Sequence, residues 1–259
     1  VEQHEARILD QRAGERGALL LSARELGRTA VQHRRQAKQL GDAVYALTPF
    51  DRDGVAAAYA AVPANVLAAK PAGLDHVSSA ALPITALSAW QGLFEHGRLV
   101  AGERVLVHGA AGGVGHLATQ LAHWRGAHVV GTASPGSLDD ARAFGADEVL
   151  DGADERLGQL EPFDLVFDTV GGALLERSPA LLRNGGRLVS VAEEPPAGAE
   201  ASYFVVEPSR EQLVEIARLA DDGVLRPAID SVFPLRDARA AFERSLARGK
   251  RGKVVLSVR

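Results

Sequence analysis

The stretch "RVLVHGAAGGVGHLATQLAHWRGAHVVGTAS", residues 104–134, decides the architecture of this 259-residue chain. An apolar run ends in a knot of small residues, continues with helical spacing and turns apolar again. Four of the seven positions Gly109–Gly115 are glycine. Glycine permits a tight turn and lets a ligand approach the backbone with no Cβ in the way. Set between a strand and a helix in one strand–helix–strand unit, the knot would aim free N–H groups and the positive end of a helix dipole at an anion. A pyrophosphate suits that place. Val114, Leu117, Leu121 and Trp124 recur at helical spacing and are expected to hold the helix on a sheet. A glycine-rich turn without a ligand is the alternative for the knot alone, and the regular alternation around it argues the other way.

That alternation runs outward in both directions. The pattern predicts strands at 104–109, 128–133, 148–151, 164–169 and 187–192, with helices at 113–125, 138–144, 155–160 and 172–183 between them. Strands alternating with helices of this length form a parallel sheet with right-handed crossovers, covered on both faces. Further on, "YFVVE" reads as strand, 209–221 as helix, 225–233 as extended, 235–248 as helix and 253–258 as a last strand. Before the knot, "DAVYAL" and "VAAAYAAVP" read as short strands joined by a turn, and a helix is expected after Asp75, restarted at Pro83.

The end of the second strand discriminates between cofactors. A carboxylate there would grip ribose hydroxyls and repel a 2′-phosphate. Here Thr132, Ala133 and Ser134 occupy it, and Ser134 offers a hydroxyl donor. No Lys or Arg follows until Arg142. The absent carboxylate favours NADP(H) over NAD(H).

Composition bounds the rest. Hydrophobic residues make up 46% and charged residues 24%, the balance of a globular protein. A net charge of −4 offers no basic field for nucleic acid, and no apolar run approaches a membrane span or a signal-peptide core. These features set the expectation of a cytoplasmic protein with neither nucleic-acid nor membrane partners. The chain has no Cys, which removes disulfides, thiol catalysis and thiolate zinc sites. Of its eight His, His108 ends a strand, His116 and His123 lie nearly two turns apart on one helix, and His4, His33, His76, His96 and His128 fall in leader, loop or boundary positions; a structural or solvated role is expected of each. Tyr45 and Tyr59 are expected to pack, and Asp168 to position the chain beside the cofactor.

The pieces "GDAVYAL", "AALPITALSAWQGLFEHGRLVAGERVLVHGAAGGVG", "FGADEVLD", "FDLVFDTVGG", "LLRNGGRLVSVA", "YFVVEP" and "RGKVVLSV" resemble, in order over 41–259, the zeta-crystallin-like quinone oxidoreductases of the medium-chain dehydrogenase/reductase superfamily. The resemblance implies an α/β fold: a Rossmann doubly wound parallel sheet plus a partial GroES-like β-rich catalytic domain. Its implied division is an unassigned leader over 1–40, a GroES-like remnant over 41–82, the dinucleotide-binding domain over 83–207 and a return to the catalytic domain over 208–259. It further implies Ala111, Gly112, Gly113, Val114 and Gly115 at the pyrophosphate, Ser134 at the 2′-phosphate and Ser88 near the nicotinamide half. Val170 and Gly171 would lie beside the cofactor, Phe204 and Val206 would offer backbone groups to the carboxamide, and Arg248 would reach a cofactor phosphate. No catalytic side chain is singled out.

The activity so implied is zinc-free hydride transfer from NADPH to a quinone, activated alkene or carbonyl, by a homodimer. Residues 1–40 depart from the family. They carry eight Lys/Arg against five Asp/Glu and lack the period of the strands expected there. Two explanations fit: a frame-shifted or mis-started leader, or a truncation that replaces half of the substrate domain with a helical cap. Three functional expectations therefore stand: a working reductase, a silent NADPH-binding protein, and an unstable relic.

Overall fold

The computed structural model describes residues 41–50, 56–196, 200–247 and 249–258. The leader 1–40, Val55 and Arg248 lie outside them, with the expectations placed there. In chain order the elements are β1 (Val44–Tyr45), β2 (Ala68–Ala69), α1 (His76–Ala80), α2 (Pro83–Trp90), β3 (Arg104–His108), α3 (Gly115–Trp124), β4 (His128–Ala133), α4 (Leu138–Ala143), β5 (Glu148–Asp151), β6 (Phe163–Asp168), α5 (Gly172–Arg177), β7 (Leu182–Ser190), β8 (Glu200–Tyr203), α6 (Arg210–Asp221), β9 (Ile229–Pro234), α7 (Ala238–Leu246) and β10 (Lys253–Ser257).

Six strands form one sheet in the order β5-β4-β3-β6-β7-β8, and every neighbouring pair is parallel. This is the doubly wound order, which reverses between β3 and β6. Side-chain alternation explains why both faces are covered. Leu106, Val130, Val166 and Leu188 stand in register across four strands and feed one apolar cluster. Val105, Val107, Val129, Leu165, Phe167 and Val189 point to the opposite face and join a larger cluster with Leu87, Leu117 and Leu121. Each such fully buried side chain contributes about 1.5–3 kcal/mol. On the outer side of α2 and α3, Trp90 meets Phe94 edge-on at 5.0 Å and Trp124 at 6.5 Å. The half-buried pair Arg187–Glu103, 2.7 Å apart, ties β7 to the turn before β3.

Several expected boundaries move. The helix after the glycine knot starts at Gly115, because Gly109–Val114 are spent in the turn. The expected helix 172–183 stops at Arg177 and tightens into a 3-10 turn over Ser178–Leu181, which carries Pro179. β7 consequently begins at Leu182. "YFVVE" is not a strand beyond Tyr203. There the side-chain amide of Gln91 takes the place of a neighbouring strand: Gln91 Oε1 accepts from Glu207 N at 2.9 Å, and Gln91 Nε2 donates to Glu207 O at 2.8 Å. The helix expected over 235–248 opens as a 3-10 turn, and α7 begins only at Ala238. β1 and β2 are two residues each, paired antiparallel with each other. Residues 56–62, expected as strand, are irregular, and Tyr59 is 63% exposed instead of packed. β9 and β10 form a separate parallel pair.

Candidate functional site

The turn Gly109–Val114 sits at the carboxyl end of β3, beside the point where strand order reverses. Gly109 has a φ of +75°, and a Cβ there would come within 2.8 Å of Thr169 Oγ1 and Val170 Cγ2. A Cβ on Gly115 would stand 2.0 Å from Gly109 O. Only glycine allows the helix to begin this close under its own turn. Gly112 N donates to Gly109 O at 2.7 Å and closes the loop. Val114 stands at the N-cap of α3 with no side-chain cap, and His116 N and Leu117 N donate to Gly112 O and Val114 O at 3.2 and 3.1 Å. An anion at this helix start would meet the N–H groups of the turn that precedes them.

Buried polar contacts hold the loop. His108 Nδ1 is 3.1 Å from Thr132 Oγ1 and His108 Nε2 is 3.1 Å from Ser178 Oγ. Burial pushes its imidazole down to about 4, so it is neutral near pH 7. Thr132 also accepts from Gly109 N at 3.3 Å, so of the residues at the end of β4 only Ser134 points outward. Asp168 is fully buried; its carboxylate accepts from Val170 N, Gly171 N and, at 2.8 Å, Ser190 Oγ. It shapes the turn after β6, which packs on Gly109.

A cavity of about 260 Å³ opens in front of this turn, lined in part by Ser88, Val114, Val191, Phe204, Val206 and Lys253. It therefore gathers four residues that the sequence reading assigned to one site from three distant segments. Ser88 is buried and donates to Ile84 O at 2.7 Å. Phe204 and Val206 are 8% and 7% exposed, and Phe204 stacks on His96 with ring centroids 4.2 Å apart. Ala111, Gly112, Gly113 and Gly115 belong to the turn itself. Val170 is 52% exposed and Gly171, with φ +77°, is buried; both lie on the other flank of Gly109. Ser134 does not line the cavity. It is exposed, with its Oγ 3.2 Å from Ser137 Oγ.

Two residues escaped the sequence reading. Lys253 lines the cavity, and burial, with the like charge of Lys250, lowers its pKa. Arg251 donates to Gly136 O and stands 3.0 Å from Asp140 Oδ2, so it reaches the loop that carries Ser134. Their signal was present in "RGKVVLSV", where a lysine stands out in a chain with only four. What it would touch was not legible there.

The described histidines have structural partners or lie exposed. His116 Nδ1 faces Gly112 O at 2.8 Å and its Nε2 accepts from Ala228 N at 3.0 Å. His128 reaches Glu148 at 2.9 Å. His76 and His123 are exposed. Tyr45 is buried and donates to Leu213 O at 2.5 Å.

Residues 144–256 match the family model described as "Zinc-binding dehydrogenase". The chain is 34% identical over 244 residues to the "Probable zinc-binding oxidoreductase, mitochondrial" of Arthroderma benhamiae, covering 84% of this chain and 73% of that one. It is 31% identical to the human "NAD(P)H oxidoreductase RTN4IP1, mitochondrial", with 84% of this chain matched but only 65% of the relative. Among solved structures, the quinone oxidoreductase of Coxiella burnetii superposes with a TM-score of 0.75 at 30% identity, over 85% of this chain and 73% of that one. These relatives correct one expectation, the cytoplasmic location: both curated relatives are mitochondrial by name. Mitochondrial targeting segments are amphipathic and have no apolar core, so the lack of such a core carried no information about compartment. Among the described residues, no helix is long and apolar enough to cross a membrane.

Proposed function

The chain belongs to the zinc-binding dehydrogenase family of the medium-chain dehydrogenase/reductase superfamily, and on that premise we propose that it is an oxidoreductase that uses NADPH to reduce a quinone or an activated alkene or carbonyl. The observation that carries this reading is the turn Gly109–Gly115, where a Cβ would clash with the chain's own backbone, opening on a cavity lined by Ser88, Phe204 and Val206. Relatives named as an NAD(P)H oxidoreductase and a quinone oxidoreductase support it.

In this reading Ala111–Gly115 hold the pyrophosphate through backbone N–H groups, and Ser134 holds the 2′-phosphate. Arg251, held at Gly136, adds a positive charge beside Ser134 that the local sequence lacks, which supports NADP(H). Ser88, Phe204 and Val206 flank the nicotinamide half, with Val170 and Gly171 on the opposite flank. When bound, the cofactor supplies the hydride. The chain's own residues orient it, and the apolar walls Ile84, Val191 and Val205 exclude water from the acceptor. The residues present do not fit a zinc ion. The chain has no Cys, and among the described residues no three His, Asp or Glu side chains are grouped to hold a metal.

The division into a GroES-like remnant over 41–82, a dinucleotide-binding domain over 83–207 and a returning segment over 208–259 belongs to the same proposal, as does a homodimer through the outer edge of the sheet. The separate β9–β10 pair supports the returning segment. A second reading, cofactor binding without turnover, draws on the irregular 56–62 and on Phe50, which is 59% exposed at the rim of the cavity.

The test is a nicotinamide fluorescence titration with NADPH and NADH, followed by turnover on a panel of quinones and enones. Tighter NADPH binding with turnover is expected. Binding without turnover on any acceptor selects the second reading, and no binding of either cofactor rejects both.

A further inference from the structure

Beside the cavity the sheet ends in a free backbone edge. Phe204 N donates to Ser190 O at 3.3 Å, and after that bond the chain leaves the sheet. Phe204, Val205 and Val206 all line the cavity. Among the described residues, the C=O of Phe204 and the backbone N–H and C=O groups of Val205 and Val206 have no hydrogen-bond partner. One turn of helix braces this strap at both ends. α2 runs on as a π-helical turn over Gln91–His96, closed by Gly97 N donating to Gly92 O at 2.9 Å. Such single turns are rare and recur at functional sites. At its start, buried Gln91 accepts from Glu207 N at 2.9 Å and donates from Nε2 to Glu207 O at 2.8 Å. The same Nε2 donates to Gln212 Oε1 at 2.8 Å, and Gln212 Nε2 donates in turn to Glu95. At its end, His96 stacks on Phe204 with ring centroids 4.2 Å apart. Gly92 lets the turn lie this deep, since a Cβ there would stand 2.3 Å from Phe167 Cε2 on β6.

Unpaired backbone donors and acceptors on a cavity wall suit a ligand that carries a planar amide, which brings one of each. Where that amide comes to rest depends on what holds the wall. A side-chain amide that pairs both backbone groups of Glu207 fixes the strap as a neighbouring strand would, yet leaves residues 204–206 free. We propose that Gln91 is a positioning residue of the cleft: through Glu207 it sets the backbone edge that receives the amide of the nicotinamide end, and thereby the distance over which hydride passes. This rests on the reading of the cleft as a nicotinamide-nucleotide site. Gln91 itself touches neither cofactor nor acceptor, and it acts on the nicotinamide half alone.

The experiment compares the wild-type chain with Gln91→Met, which keeps the buried stem and removes both bonds to Glu207. Affinity is measured for NADPH and for adenosine 2′,5′-bisphosphate, which has the adenosine half and no nicotinamide, with melting curves as a folding control. Gln91→Met is expected to weaken NADPH about tenfold and to leave the bisphosphate unchanged. Its kcat on a quinone acceptor should fall about ten- to a hundredfold, because hydride transfer is sensitive to small misplacements. Equal weakening of both ligands overturns the proposal, since that marks general loosening of the fold; so does NADPH affinity and turnover like the wild type's. Where Gln91→Met does not melt cooperatively, Gln212→Met decides, because it removes only the outer support of the clamp: the same split between the two ligands, at about two- to fivefold, is expected, and its absence overturns the proposal. A wild-type chain that binds NADPH without turnover is still read by the affinity split. If the wild-type chain binds neither NADPH nor NADH, the functional reading itself fails and this inference with it; wild-type binding with an indifferent Gln91→Met sinks the inference alone.

Discussion

His116 accepts a hydrogen bond at Nε2 from the backbone N–H of Ala228, 3.0 Å away, and so pins the helix below the glycine turn to the residue that leads into β9, whose carbonyl accepts in turn from Lys253 N at 2.9 Å. Because Nε2 must accept, Nδ1 carries the proton and donates to Gly112 O at 2.8 Å. Gln120, one turn on, both donates to Arg226 O and accepts from Arg226 N. A helix of ten residues thus holds the floor and one wall of the cleft together.

The neutral state of this imidazole predicts an acid-sensitive fold. Burial pushes His116 and His108 from 6.5 down to about 4. As pH falls, the unfolded chain takes up these protons first. Their stabilisation is fully present above about 6.5 and is lost between 6.5 and 4, by roughly 3 kcal/mol each at the lower limit. Melting temperatures measured across that window should drop steeply, and His116→Asn should flatten the slope. A wild-type profile flat down to pH 4 would contradict the assignment.

Two glycine substitutions separate close approach from mere glycine content. Gly115→Ala puts a methyl 2.0 Å from Gly109 O, and overpacking there should cost about 2–3 kcal/mol and abolish cofactor binding. Gly136→Ala meets nothing within 4 Å at an ordinary φ and should be neutral in both assays. Urea titrations and nicotinamide fluorescence read the two effects; a tolerant Gly115→Ala would mean that the turn relaxes.

Arg251→Gln should lower the preference for NADPH. Its guanidinium is held at Gly136 and Asp140, beside exposed Ser134. Removing the charge should weaken NADPH about five- to tenfold and leave NADH unchanged, read from paired dissociation constants. Equal loss for both cofactors would instead assign Arg251 to the common part of the ligand.

Asp168→Asn tests the turn after β6. The carboxylate accepts from two backbone N–H groups and from Ser190, and an amide cannot replace every acceptor. A loss of about 1–3 kcal/mol is expected in equilibrium unfolding followed by the fluorescence of Trp90 and Trp124. An isoenergetic variant would show that the turn is held by packing alone.

The sequence by itself determined the sheet, its helical cover and the glycine turn, because each is written in local pattern: short apolar runs in β3 and β6, helical spacing through Leu117 and Leu121, and glycines where a Cβ has no room. It missed the boundary at Tyr203, where Gln91, far back in the chain, supplies the partners a strand would have had. Tertiary structure alone decided that Lys253 crosses Gly113, that Arg251 reaches Gly136, and that His116 meets Ala228. These are contacts between segments more than a hundred residues apart, made by single side chains to backbone atoms. No period in the sequence records them, since they exist only once the sheet has set where its crossovers and its last strands lie.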